Sequence, residues 1–176
     1  APPRARSVRP PGRPPGCHTA GRAMLRTPKV DAVLVPATLH PHHQVALDCC
    51  AAGKHVLVEK PIAVSVRAAR RMVEAARQAN VMLGVAEVLR YFESVRILKW
   101  LLDTGQIGRL QMWISGGMGA ADWSPDVIVA KTPWRHQKLL AGAGPAGEGA
   151  CHPFAALRHP CGEVQESGAL APALDP

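Results

Sequence analysis

Ala52-Gly53-Lys54-His55-Val56-Leu57-Val58-Glu59-Lys60-Pro61 is the stretch on which the reading of this chain turns. Gly53 is a good helix stop, residues 55–58 form a short β-branched run, and an acid–Lys–Pro turn follows directly. Pro61 fixes its own φ and confines Lys60 to extended conformations, so the ammonium leaves the strand on a stiff turn. Open α/β sheets hold their ligands at the carboxyl ends of strands. A lysine placed there can donate a proton to an oxygen that becomes an alkoxide. Spacing alone favours a solvated surface lysine; the neighbouring segments shift that balance.

Upstream, Asp31-Ala32-Val33-Leu34-Val35 is an apolar run of strand length ended by Pro36. Pro41 can open a helix that carries Val45, Leu47, Cys49 and Ala51 to Gly53. Downstream, Ser65 caps a second helix with Val66, Ala69, Met72, Val73 and Ala76 on one face, ending at Asn80. Residues 81–85 read as a further strand. The order β-α-β-α-β over 30–86, with short connections, predicts parallel strands, and their continuous apolar character predicts cover on both faces. A helix is expected over 93–103 and a half-wet strand over 109–114. Residues 116–145 are Gly-rich and weakly patterned. A short helix is expected over 148–157, delayed or kinked by Pro153.

The charge is unevenly placed. Of the net +8, residues 1–30 hold seven cations (Arg4, Arg6, Arg9, Arg13, Arg22, Arg26 and Lys29) and no acid. The rest is nearly neutral, with 14 basic and 13 acidic side chains, so the basic character belongs to a Pro/Arg/Gly-rich tail expected to be disordered. That tail has no aromatic residue on which a base could stack, so nucleic acid is not an expected partner. No apolar run reaches secretory or membrane-spanning length. Five cysteines without paired spacing suggest reduced thiols in a cytoplasmic protein. The cluster His40, His42, His43 has no carboxylate or cysteine at ligand spacing and is not read as a metal site.

Taken in order, Asp31-Ala32-Val33, His42-x3-Ala46, Gly53-Lys54-His55-Val56, Glu59-Lys60-Pro61, Arg90-Tyr91-Phe92, residues 103–108, Pro133-Trp134-Arg135 and Gly147-Glu148-Gly149-Ala150-Cys151-His152 follow one family's pattern. The chain resembles the Gfo/Idh/MocA oxidoreductases, the glucose–fructose oxidoreductase and inositol dehydrogenase group, over roughly residues 29–164. The resemblance implies an α/β fold: an incomplete Rossmann-like parallel sheet followed by the start of an α+β substrate domain. The expected division is a disordered basic tail over 1–29, the second half of an NAD(P)-binding domain over 30–88, a partial substrate domain over 89–164 and a disordered end over 165–176. The implied reaction is reversible hydride transfer at a secondary alcohol carbon of a sugar, cyclitol or related small molecule, with NAD or NADP.

By the same resemblance, Lys60, His152 and Glu148 are the catalytic candidates. Pro36, Ala37, Thr38, His42, Glu59, Lys60 and Glu87 are the candidates for cofactor contact. Lys60, Arg90, Trp134, Arg135 and His152 are the candidates for substrate contact. The chemistry agrees, because alcohol oxidation needs a base for the hydroxyl proton and a cation near the developing alkoxide. A Glu and a His at i, i+4 share a helix face, so Glu148 is expected to orient His152, although Pro153 and Ala155 depart from the family's pattern. Glu87 and Arg90 are expected to form a structural ion pair.

A dinucleotide fold also uses a first strand, a glycine-rich turn and a helix amino terminus facing the pyrophosphate. Nothing before Val30 reads that way. The G-x-G-x-x-G at residues 142–147 is rejected, because no strand precedes it and Pro145 removes an amide. The expectation is therefore a truncated or divergent member that binds NADH and NADPH weakly on its own. Homo-oligomerisation, or pairing with a full-length relative, is expected of its open sheet edge. The alternative expectation is a catalytically inactive interaction or scaffold module.

Overall fold

The computed structural model describes residues 21–26, 29–115, 133–142 and 144–168, and only the backbone at 136, 138 and 144–148. Strands β1 (Ala32–Val35), β2 (His55–Glu59) and β3 (Leu83–Ala86) form a three-stranded parallel sheet in the order β1-β2-β3. Val33, Val56 and Leu83 stand in register, as do Leu34, Leu57 and Gly84. The crossovers are α2 (His42–Ala51) and α3 (Val66–Gln78), which pack on each other. Ser65 caps α3 as expected: its hydroxyl accepts the Ala68 N–H at 3.3 Å.

The core lies between this helix pair and one face of the sheet. It comprises Val33, Val35, Ala46, Cys49, Cys50, Val56, Val58, Met72 and Ala76. On α2 the buried stripe is His42, Ala46, Cys49 and Cys50, an i, i+4, i+7, i+8 set. On α3 only Met72 and Ala76 of the expected face are buried; Val66 and Val73 are exposed.

Two-sided cover is not found among the described residues. Burial alternates along β1, and Leu34 and Leu57, neighbours on the second face, are 59% and 42% exposed. Apolar composition shows that both faces suit an apolar cover, but it cannot say which segment supplies one.

Part of the segment expected to be a disordered tail is ordered. Gly21–Leu25 forms a helical turn, α1, with Met24 and Leu25 packed on the core and Arg22 paired to Asp48 at 3.0 Å. Two adjacent apolar side chains and one ion pair suffice to hold a segment whose composition reads as disordered.

After β3 a 3-10 turn (Val88–Tyr91) leads into α4, which spans Glu93–Asp103 as expected. A second 3-10 turn (Pro133–His136), α5 (Lys138–Ala141) and α6 (Gly144–Cys161) follow. The strand expected over 109–114 does not form: residues 109–115 carry no regular structure, and Met112 and Ile114 are 74% and 86% exposed. Alternation makes a strand only where a partner ladder is available. Helix α6 starts before the expected residue 148 and runs through both Pro153 and Pro160. Pro153 removes the bond to the Gly149 carbonyl, and Gly149 is exposed, where water can replace it.

Candidate active site

Parallel register brings the carboxyl ends of the three strands to one edge. Pro36, Ala37 and Thr38 follow β1, Glu59-Lys60-Pro61 closes β2, and Glu87 follows β3. Each segment contributes something different.

The loop at 36–38 is exposed, so its backbone is accessible to a ligand lying across the edge. In the β2 turn the Glu59 carboxylate accepts the backbone N–H of Lys60 at 2.9 Å. Glu59 thus stiffens the turn that presents the lysine. Lys60 is half-buried, and its charge acts on the Cys151 thiol of α6.

Glu87 is 9% exposed and is the hinge of the arrangement. Its Oε1 accepts the Leu89 N–H at 3.1 Å, capping the 3-10 turn, and faces His152 Nδ1 at 2.8 Å. A carboxylate only accepts, so Nδ1 carries the proton of this bond and Nε2 of the neutral ring keeps its lone pair. The contact spans 65 residues and depends on α6 packing against the 3-10 turn.

Glu148, expected to orient the ring, has a side chain outside the described residues; the bond to Nδ1 is made by Glu87, a partner that sequence reasoning missed. The i, i+4 rule sees only partners on the same helix. Cys151 was missed as well, although it immediately precedes His152 in the sequence. Burial pushes its thiol up, the Lys60 ammonium pulls it down, and Glu87 pushes it up again. Ligand atoms of Glu87, Cys151 and His152 lie within 4.8 Å of one another. The lysine charge acting on the same thiol and the proton shared between Glu87 and His152 both disfavour a metal cation there.

His42, a candidate for cofactor contact, lies in the interior. It is 1% exposed, with Nδ1 3.1 Å from the Pro61 carbonyl and Nε2 3.1 Å from the Ala37 carbonyl. Both ring nitrogens are occupied beneath the edge. Arg90 does not form its expected pair with Glu87: it is exposed, and its Nη2 lies 3.4 Å from His159 Nδ1. Trp134 and Arg135, both half-buried, stack on each other with the guanidinium 4.9 Å from the ring centroid, on a turn packed against α6. The structure thus brings Lys60, Glu87, Cys151 and His152 together, with the 36–38 loop on the same edge.

Residues 14–87 match the family model described as the oxidoreductase family with the NAD-binding Rossmann fold, GFO_IDH_MocA, and this part of the chain belongs to that family. The match begins inside the segment read from composition as a tail. Levoglucosan dehydrogenase of Pseudarthrobacter phenanthrenivorans is 30% identical over 149 residues, which is 85% of this chain and 37% of that protein. The 1,5-anhydro-D-fructose reductase of Ensifer adhaerens is 36% identical over 126 residues, 72% of this chain and 36% of that protein. Among solved structures, levoglucosan dehydrogenase in complex with NADH and levoglucosan superposes with a TM-score of 0.66 at 30% identity, covering 81% of this chain and 38% of that one. The chain thus spans a little over a third of the length of these relatives. Among the described residues, no helix is long and apolar enough to cross a membrane.

Proposed function

We propose that this chain carries part of the catalytic edge of an NAD(P)-dependent dehydrogenase acting at a secondary alcohol carbon of a sugar, cyclitol or related polyol. The single observation that carries this reading is the convergence of Lys60, Glu87 and His152 at the carboxyl edge of a parallel sheet. The family match and the likeness to sugar-acting relatives support it.

The residues present fit one half of a dinucleotide. The exposed 36–38 backbone and the Lys60 turn flank the crevice where a nicotinamide ribose would lie. Among the described residues no glycine-rich strand-to-helix turn is available for the pyrophosphate. Bound between these segments, oxidised NAD(P) would supply the hydride acceptor. The chain's own residues handle the proton and the charge. His152 Nε2 receives the hydroxyl proton, Glu87 stabilises the imidazolium that results, and the Lys60 ammonium favours the oxygen as negative charge develops. In the reverse direction the same groups return the proton.

Residues 30–88 would hold the cofactor side and 89–164 the beginning of the substrate side, with Arg90, Trp134 and Arg135 at its margin. The test is formation of NADH or NADPH from millimolar NAD⁺ or NADP⁺ with levoglucosan or 1,5-anhydro-D-sorbitol. Turnover that Lys60→Ala reduces is expected; turnover indifferent to Lys60→Ala would contradict the assignment.

A further inference from the structure

We infer that His42 is a positioning residue that ties the Lys60 turn to the loop after β1, so that the two halves of the crevice are held in one register. The inference rests on the proposed reaction for its functional meaning, though not for its geometry.

His42 is the first residue of α2, directly after the loop from β1. It is among the largest fully buried side chains, and its two nitrogens point at two backbone carbonyls from different segments. Nδ1 meets the Pro61 oxygen, one residue beyond Lys60; Nε2 meets the Ala37 oxygen, within the exposed loop. Both distances are 3.1 Å. A ring this deeply buried must find its partners within the protein, so its two contacts constrain how the turn and the loop sit. A neutral imidazole carries one N–H and serves one carbonyl at a time, whereas a ring protonated on both nitrogens serves both. Lys60 is fastened on its other side by Glu59, whose carboxylate takes the Lys60 N–H at 2.9 Å. The lysine backbone is therefore held from before and after, and His42 is the longer-range of the two fastenings.

The geometry makes a prediction that a merely space-filling histidine would not. Asparagine places its amide nitrogen near the position of Nδ1 and keeps the Pro61 contact; glutamine places it near Nε2 and keeps the Ala37 contact. Lysines of the full chain are tagged by reductive ¹³C-dimethylation, and the Lys60 methyl resonance is identified by its loss in Lys60→Arg. In His42→Asn that resonance stays close to its native position. In His42→Gln and His42→Ala it is displaced, while those of Lys54 and Lys99 are not. Met72→Ala, which opens the core without touching either carbonyl, leaves it in place. An unmoved resonance in folded His42→Gln, equal displacement in the Asn and Gln variants, or displacement by Met72→Ala as large as theirs would overturn the inference. Should His42→Ala not fold, the Asn–Gln pair decides alone. Failure of hydride transfer would refute the proposed reaction and leave these spectra unaffected.

Discussion

Glu87 and His152 face each other at 2.8 Å across 65 residues of sequence, one following β3 and the other on α6. The bond joins the sheet edge to the helical region and sets which imidazole nitrogen is free. Glu87→Gln keeps an acceptor oxygen for the Leu89 N–H and for Nδ1 but removes the negative charge that stabilises the imidazolium. Turnover with NAD⁺ or NADP⁺ should fall on the order of 10²-fold or more, the usual contribution of a correctly protonated base. Initial-rate assays of Glu87→Gln beside Glu87→Asp check this, with the aspartate variant retaining more activity.

Lys60→Ala should reduce turnover by roughly 10²-fold or more, in the range seen when one donor to a developing oxyanion is lost. The lysine is half-buried on a turn held by Glu59 and Pro61, so the far-ultraviolet circular dichroism should not change. A large loss of helix signal would place Lys60 in the folding of the edge.

The Cys49 thiol is pushed up to about 11, first by burial and then by Cys50 and Asp48 beside it. The folded value lies above the ordinary one of 9.0, so the fold favours the protonated thiol. Its contribution to stability is complete below pH 9.0 and is lost as pH rises through about 11. Urea midpoints should therefore fall between those values, and less so in Cys49→Ala. At neutral pH, iodoacetamide should modify exposed Cys161 well before buried Cys49 and Cys50.

Met72 is completely buried between α3 and the sheet. Met72→Ala should lower unfolding free energy by about 2–5 kcal/mol, the range for emptying a large core site. Urea titration followed by circular dichroism measures it.

Gly142 has φ +66, and a Cβ there would lie 2.9 Å from the Val64 carbonyl. This glycine lets the chain before α6 pass close to the loop between β2 and α3. Gly142→Ala should cost about 1–3 kcal/mol through strain and displacement. Hydrogen exchange should rise in α6 while the core strands keep their protection.

Much of the sheet was legible because its signals are local. Val33, Val35, Val56 and Val58 sit in short apolar runs with clear stops, and Ser65 caps its helix with its own hydroxyl. Lys60 could be placed because a strand and a proline bracket it. The misreadings share a cause, which is dependence on distant chain. The 109–114 alternation says nothing of whether a partner strand is at hand. Met24 and Leu25 read as tail until a core exists to receive them. Glu87 could not be recognised as the partner of His152, nor His42 as a bridge between two carbonyls, because both contacts join segments far apart in sequence.

The central claim is that Glu87 holds His152 with its proton on Nδ1, leaving Nε2 free at the edge that presents Lys60. ¹⁵N-resolved NMR of the His152 ring tests it directly. A protonated Nδ1 and a bare Nε2 are expected, with the preference lost in Glu87→Ala, which removes the acceptor. A ring protonated on Nε2, or one indifferent to Glu87→Ala, would overturn the claim.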